Sequence, residues 1–533
     1  MNSAFPPRGP TRRLLALAPW LALGLGMGLQ AAVGLRWIGL EARVGEPVVC
    51  EAVWPVNDLI SSAHAGQLAW GDLLTPGLSS WLGLVGHHAF GGGGQALLLT
   101  VLACLVGCQL LAFDLGRLLG DRWAGVLAAL LLPMFPDIAL LGRRWGPILP
   151  QLLLLLAMAD VLVRSRSLSR PLLAVGVGLL GAAGVLFSPF STHDLLFLAG
   201  AGSLCAGAAL RGLLLGRPPL PGDPVARWRV AVGCVLAAAP MLLATWVVVR
   251  FNMNPDYYAA EANAASYAGA GRVWHPWFLT AYPRLIATST AGPLLAGAVV
   301  LGLVGFSWRG RGRAELLLWG LGPIVALSLI AKKNWYYAAV VFPVLPLLVA
   351  LGLHALPWPR LRLGVGAALL ALVGFGWWQA SFSPGEAPGW YRQALTDPAF
   401  QSPPSPSLAP DKHFRWARHE ALLRQALPGS SCPAGASIGQ LPDASAEDLV
   451  LALKGLDPCL ETHSWAESRD FDWMIHAVHG CVPVASLAPG PVPAELPRPS
   501  AVASCERQGR CEVVGADLRE APCLWLVHSN RDP

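Results

Sequence analysis

The chain has 533 residues, 54% of them hydrophobic and only 13% charged, about half the charged fraction of an ordinary soluble domain. Its net charge of +6 sums two opposite balances: residues 1–380 hold 26 Lys/Arg and 14 Asp/Glu, whereas residues 381–533 hold 12 and 18. That split excludes a single soluble domain and removes the basic total as an argument for nucleic acid; it leaves an apolar membrane part and a mildly acidic soluble part.

In chain order, Arg8, Arg12 and Arg13 precede an apolar run from Leu14 to Leu35. The run approaches the roughly 20 residues that cross a bilayer and exceeds a usual signal sequence, so it predicts an uncleaved first span. Further windows of spanning character lie near 96–116, 123–141, 147–163, 171–188, 193–210, 230–249, 287–307, 314–331, 336–356 and 363–380. Eleven crossings result if the window 76–90 (PGLSSWLGLVGHHAF) stays at the surface. The positive-inside rule decides this. With 76–90 uncrossed, 17 Lys/Arg fall in inner loops and nine outside; with 76–90 crossed, the bias reverses. Residues 36–95 therefore read as one long outer loop with surface helices over about 58–70 and 77–90.

The fold expected is an all-α polytopic membrane domain of about 11 transmembrane helices over 1–380, with that long first periplasmic loop. A Pro/Ser-rich linker follows over 381–410 (SPGEAP, SPPSPSLAP), then a small periplasmic α/β domain over 411–533. Six cysteines, Cys432, Cys459, Cys481, Cys505, Cys511 and Cys523, fall in that tail. An even set on the oxidising side predicts disulfides without fixing their pairing. Cys104, Cys108, Cys205 and Cys234 lie in apolar runs as small hydrophobes.

Ionisable residues beside spans are costly and mark function. The outer face gathers Glu51, Asp58 and Asp72, then Asp137, Arg143 and Arg144. Further along it gathers His193 and Asp194, then Asp256, Glu261 and Arg272, and finally Lys332 and Lys333. Cations there suit a lipid-linked phosphate, and a carboxylate beside them suits proton removal from an acceptor hydroxyl. The plainer alternative is that the basic pairs anchor the interface and that His87, His88 and His193 are structural. No zinc spacing, phosphate-cradling glycine loop, GxSxG or CxxC is present.

The order of parts resembles the C-type (GT-C), polyprenyl-phosphate-sugar-dependent glycosyltransferases, in the group of protein mannosyltransferases and lipid A aminoarabinose transferases. The likeness is carried by WPVNDLISSAHAGQLAWGD (54–72), TPGLSSWLGLVGHHAFG (75–91), LAFDLGRLLGDRWAGVLAALLL (111–132) and KKNWYYAAVVFPVLPLL (332–348). It covers roughly residues 10–355. The family's acidic pair in loop one stands here as Asn57-Asp58, and its acidic residue after the third span is missing from RRWGPILP (143–150).

The resemblance implies a transferase of the bacterial inner membrane, N-terminus cytoplasmic, acting on the periplasmic face. Its partners would be a polyprenyl-phosphate-linked sugar, membrane lipid and an envelope glycan, lipid or protein acceptor, with no nucleic acid. Asp58 would be general base, with Asp137 a carboxylate from a neighbouring place. Arg143, Arg144, Lys332 and Lys333 would hold the lipid phosphate; Asn57, His193, Tyr336 and Tyr337 would line the donor and acceptor pocket. No cofactor is required; a divalent metal is compatible with the chemistry, but no spacing supports one. The alternatives are a non-catalytic lipid-binding scaffold, an oligosaccharide polymerase or ligase, and a transporter. The last expects repeated halves that the sequence lacks.

Overall fold

The computed structural model describes residues 10–39, 56, 59, 77–90, 93–188, 191–215, 226–252, 274–309, 312–330, 332–383, 387–393, 397–400, 437–440, 461–462, 473–478, 503, 507, 511–517 and 523–529. Every one of the eleven apolar windows contains helix. The helices are α1 (Pro10–Gly39), α2 (Gly77–Phe90), α3 (Gly93–Leu119), α4 (Arg122–Leu131), α5 (Pro136–Leu141), α6 (Ile148–Arg164), α7 (Pro171–Val185), α8 (Ser191–Leu210), α9 (Arg227–Val247), α10 (Gly292–Arg309), α11 (Arg313–Ser328), α12 (Val344–His354) and α13 (Pro359–Phe382). Among the described residues, five helices are long and apolar enough to cross a membrane, or seven if each of two bent pairs is one span. A helix over 77–90 is present as α2, while the expected helix over about 58–70 lies outside the described residues.

Proline and glycine explain where helices depart from unbroken spans. The window 123–141 is three pieces: α4, a 3-10 turn over Leu132–Met134, and α5. Pro133 and Pro136 lack the N–H that would continue the ladder, and Phe135, before the second proline, is extended with ψ 125°. Asp121 caps the start of α4 by accepting from Ala124 N at 2.8 Å. The helical stretch Ala281–Thr290 meets α10 at a bend of 117°. Gly292 sits at that bend with φ +66°, and a Cβ there would lie 1.7 Å from Tyr391 O. No other residue satisfies both the left-handed backbone and the contact. Where α10 crosses α12, a Cβ on Gly352 would lie 2.2 Å from Gly302 Cα, so the two backbones touch as small residues permit.

The chain clusters into two compact units. One comprises Met1–Gly34, Leu102–Gly142 and Pro147–Ala409; the other comprises Leu35–Val101, Arg143–Gly146 and Pro410–Pro533. In the first, the described parts of the Pro/Ser-rich segment form a strap on the helices, where a bare spacer was expected from composition. Leu294 N donates to Trp390 O at 3.2 Å and Gln393 N to Thr288 O at 2.9 Å. Tyr391 OH donates to Met134 O at 2.8 Å, and Arg284 Nε to Asp397 Oδ2 at 3.0 Å.

The second unit holds a five-stranded mixed sheet in the order β2-β1-β3-β5-β4, built from β1 (Ser437–Gln440), β2 (Glu461–Thr462), β3 (Trp473–Val478), β4 (Cys511–Asp517) and β5 (Cys523–Ser529). The β1–β2 and β1–β3 pairs are parallel, and parallel pairs require crossover connections. The segments joining β1, β2 and β3 lie outside the described residues. Cys511 pairs with Ser529 while Cys523 pairs with Val478, so these two cysteines stand at opposite ends of the β4–β5 ladder and cannot bond to each other. The described Cys104, Cys108, Cys205 and Cys234 are free thiols, and no described pair lies at bonding distance, so the disulfide expectation gains no support.

Candidate active site

Asp137, in the first turn of α5, is wholly buried. Ser289 Oγ donates to its Oδ1 at 3.0 Å and Thr290 Oγ1 to its Oδ2 at 2.7 Å. Arg392 Nη2, from the strap, makes an ion pair with Oδ1 at 3.0 Å. Both carboxylate oxygens therefore already accept a donor.

Lys333 follows the end of α11 and is 1% exposed. Its Nζ donates to the carbonyls of Leu327, Ser328 and Ile330 at 3.0–3.2 Å, closing the orphan acceptors of the helix terminus. Burial lowers its ammonium to about 8. The ammonium also lies 5.2 Å from the centre of the buried Tyr282 ring. Lys332, beside it, is half-buried.

The same unit brings Tyr336, Tyr337 and His193 together. Tyr336 meets the His193 ring edge-on at 5.5 Å and the Tyr337 ring at 5.1 Å. Asn334 Nδ2 donates to Tyr336 OH at 2.9 Å. Next to His193, Asp194 Oδ1 accepts from Ser188 N at 3.2 Å and from Gln151 Nε2 at 3.5 Å. Asp194 Oδ2 and Asn334 Oδ1 are buried acceptors with no donor among the described residues, a condition a hydroxyl-bearing ligand or a water relieves. The cavity bounded by Gln151, His193 and Tyr336 measures about 10 Å³, room for about one water and not for a sugar ring.

Arg143 and Arg144 belong to the second unit and are buried at 8% and 7% exposure. The Arg143 guanidinium lies 5.2 Å from the centre of the Trp37 ring. Asn57 and Asp58 lie outside the described residues; their neighbours Val56 and Leu59 are buried. A Cβ on Gly83 of α2 would meet Val56 Cγ2 at 2.7 Å and Trp145 Cζ2 at 2.9 Å. Three sequence motifs thus converge at Gly83: the residue two before Asp58, the surface helix, and the RRWG turn. Asn334, Gln151 and the Arg392 anchor escape a sequence reading. An amide has no charge to flag it, and the arginine lies in a segment whose composition reads as linker. Among the described residues no group of three or more His, Cys, Asp or Glu could hold a metal ion.

No family model matches the chain, and no curated protein matches it by sequence. Solved structures do match. ArnT from Cupriavidus metallidurans in the apo state superposes with a TM-score of 0.60 at 14% identity, covering 96% of this chain and 98% of that one. The same protein bound to undecaprenyl phosphate gives 0.58 at 14% identity, covering 95% and 98%. The mycobacterial arabinofuranosyltransferase AftD gives 0.50 at 13% identity, over 96% of this chain and 40% of that one. The helix order, the apolar spans and these superpositions give the chain the fold of the GT-C glycosyltransferases, an integral membrane fold.

Proposed function

We propose that this protein is a membrane glycosyltransferase that moves a sugar from a polyprenyl-phosphate-linked donor to an acceptor on the periplasmic face of a bacterial inner membrane. The observation that carries the reading is the near full-length superposition on ArnT, one of whose structures holds undecaprenyl phosphate. Convergence of the Val56 segment, α2 and the RRWG turn supports the assignment of roles. Asp58 is the general base that takes the acceptor's proton. Arg143, Arg144 and Lys332 hold the phosphate and stabilise its charge as the glycosidic bond breaks. Tyr336, Tyr337, His193 and Asn57 line the approach. Lys333 and Asp137 act indirectly: Lys333 fixes the turn that presents Lys332 and the tyrosines, and Asp137 anchors the strap. The tail selects the acceptor.

The test is turnover of a labelled polyprenyl-phosphate sugar by the reconstituted protein, followed as release of polyprenyl phosphate. A general base is worth about 100- to 10,000-fold. Asp58→Asn should cost that much turnover while leaving lipid binding nearly unchanged. Full turnover in Asp58→Asn would refute the assignment. A second reading, a lipid-binding protein without transfer activity, is favoured by the lone carboxylate of Asn57-Asp58. Tight lipid binding with no turnover by the wild-type chain on any acceptor would establish it.

A further inference from the structure

Outside the proposed active site, an apolar cavity of about 580 Å³ lies within the first unit. It lies among α1, α4, α12 and α13, and its wall includes Ala22, Leu127, Leu130, Gly366 and Leu370. That volume suits a lipid chain or a drug-sized molecule and exceeds packing defects. One end is polar. His354 Nδ1 stands 3.0 Å from Asp121 Oδ2, and Arg362 Nη1 donates to His354 O at 3.0 Å and lies 3.9 Å from Asp121 Oδ2. Only one guanidinium nitrogen of Arg362 is used; Nε and Nη2 have no partner among the described residues. Asp121 is met by His354 and Arg362, and Arg122 and Arg360, next in sequence to Asp121 and near Arg362, are exposed. Trp123, which lines the cavity, is 38% exposed, and Trp358, next to the lining Pro359, is 63% exposed. Exposed tryptophans beside arginines mark the level of lipid headgroups, and the arginine bias assigns this end to the cytoplasmic side.

We propose that this pocket is a binding site for an anionic phospholipid. One acyl chain fills the cavity between α4 and α13, and the phosphate is held by the free edge of the Arg362 guanidinium with Arg122 and Arg360 around it. The site is separate from the donor-sugar site and does not depend on the transferase reading, since binding is read without turnover.

Gly366 supplies the decisive variant. A Cβ there would lie 3.6 Å from Leu127 Cδ2, an ordinary contact, so Gly366→Leu adds side-chain volume at the cavity wall. The full chain in detergent is titrated with phosphatidylglycerol or with phosphatidylcholine, following the melting midpoint and retained lipid by native mass spectrometry. Phosphatidylglycerol should raise the midpoint by about 3–5 °C and leave one lipid per chain, and phosphatidylcholine should do neither. Arg362→Gln should lose the preference between the two lipids. Gly366→Leu should melt above the wild type without lipid and no longer respond to phosphatidylglycerol; it decides the matter if Arg362→Gln does not fold. Equal stabilisation of the wild type by both lipids would overturn the headgroup site. An undiminished phosphatidylglycerol response in Gly366→Leu would overturn the pocket.

Discussion

Asp137 and Arg392 lie 255 positions apart and share one buried hydrogen-bonded knot with Ser289 and Thr290. Burying two charges is costly, so the pair holds the strap only while both partners remain. Removing one strands the other. Asp137→Asn or Arg392→Met should each destabilise by about 3–5 kcal/mol, seen as a lower melting midpoint in detergent, while the double variant Asp137→Leu/Arg392→Met should recover much of that loss. Unchanged melting with lost turnover in Asp137→Asn would instead return this carboxylate to the chemistry. Lys333 follows the same logic. Its charge is spent on three carbonyls of its own helix end, so a basic pair in the sequence resolves into one structural and one half-buried lysine.

At the scale of elements, the membrane helices are shaped by where side chains are absent. The α10–α12 crossing depends on Gly302 and Gly352, whose backbones approach more closely than any Cβ allows. Gly352→Leu should push the helices apart and cost about 1–3 kcal/mol or more. Gly364→Leu, at a position with nothing within 4 Å, is the control and should leave melting unchanged. Equal effects of the two would mean that helix propensity, not the crossing, sets the result. Pro133 and Pro136 similarly turn one apolar window into three short pieces, and this break carries Asp137 into the first turn of α5, where it meets Ser289 and Thr290.

For the whole molecule, one compact unit gathers the segment Leu35–Val101, the turn Arg143–Gly146 and the tail Pro410–Pro533. The arginine bias assigns these three segments to the outer face, along with others in the first unit. A periplasm-only reporter fused after Gly92 or after Pro384 should be active at both positions. Activity of a cytoplasmic reporter at either would invert the map and move the proposed chemistry to the other face.

Sequence by itself determined the membrane character, the apolar windows that became helices, the helix over 77–90 and the resemblance to the GT-C fold. Each is a property of local composition or of motif order, and hydrophobic runs must be helical where no water can satisfy the backbone. Tertiary structure decided how the polar residues are used. Whether Asp137 faces a substrate or an arginine depends on a strap 255 residues away, and whether Lys333 meets a phosphate or a carbonyl depends on how α11 ends. A sequence shows that a charge exists near a membrane; only the packing of distant segments decides which partner neutralises it, because a buried charge takes whichever opposite charge or dipole the fold brings within reach.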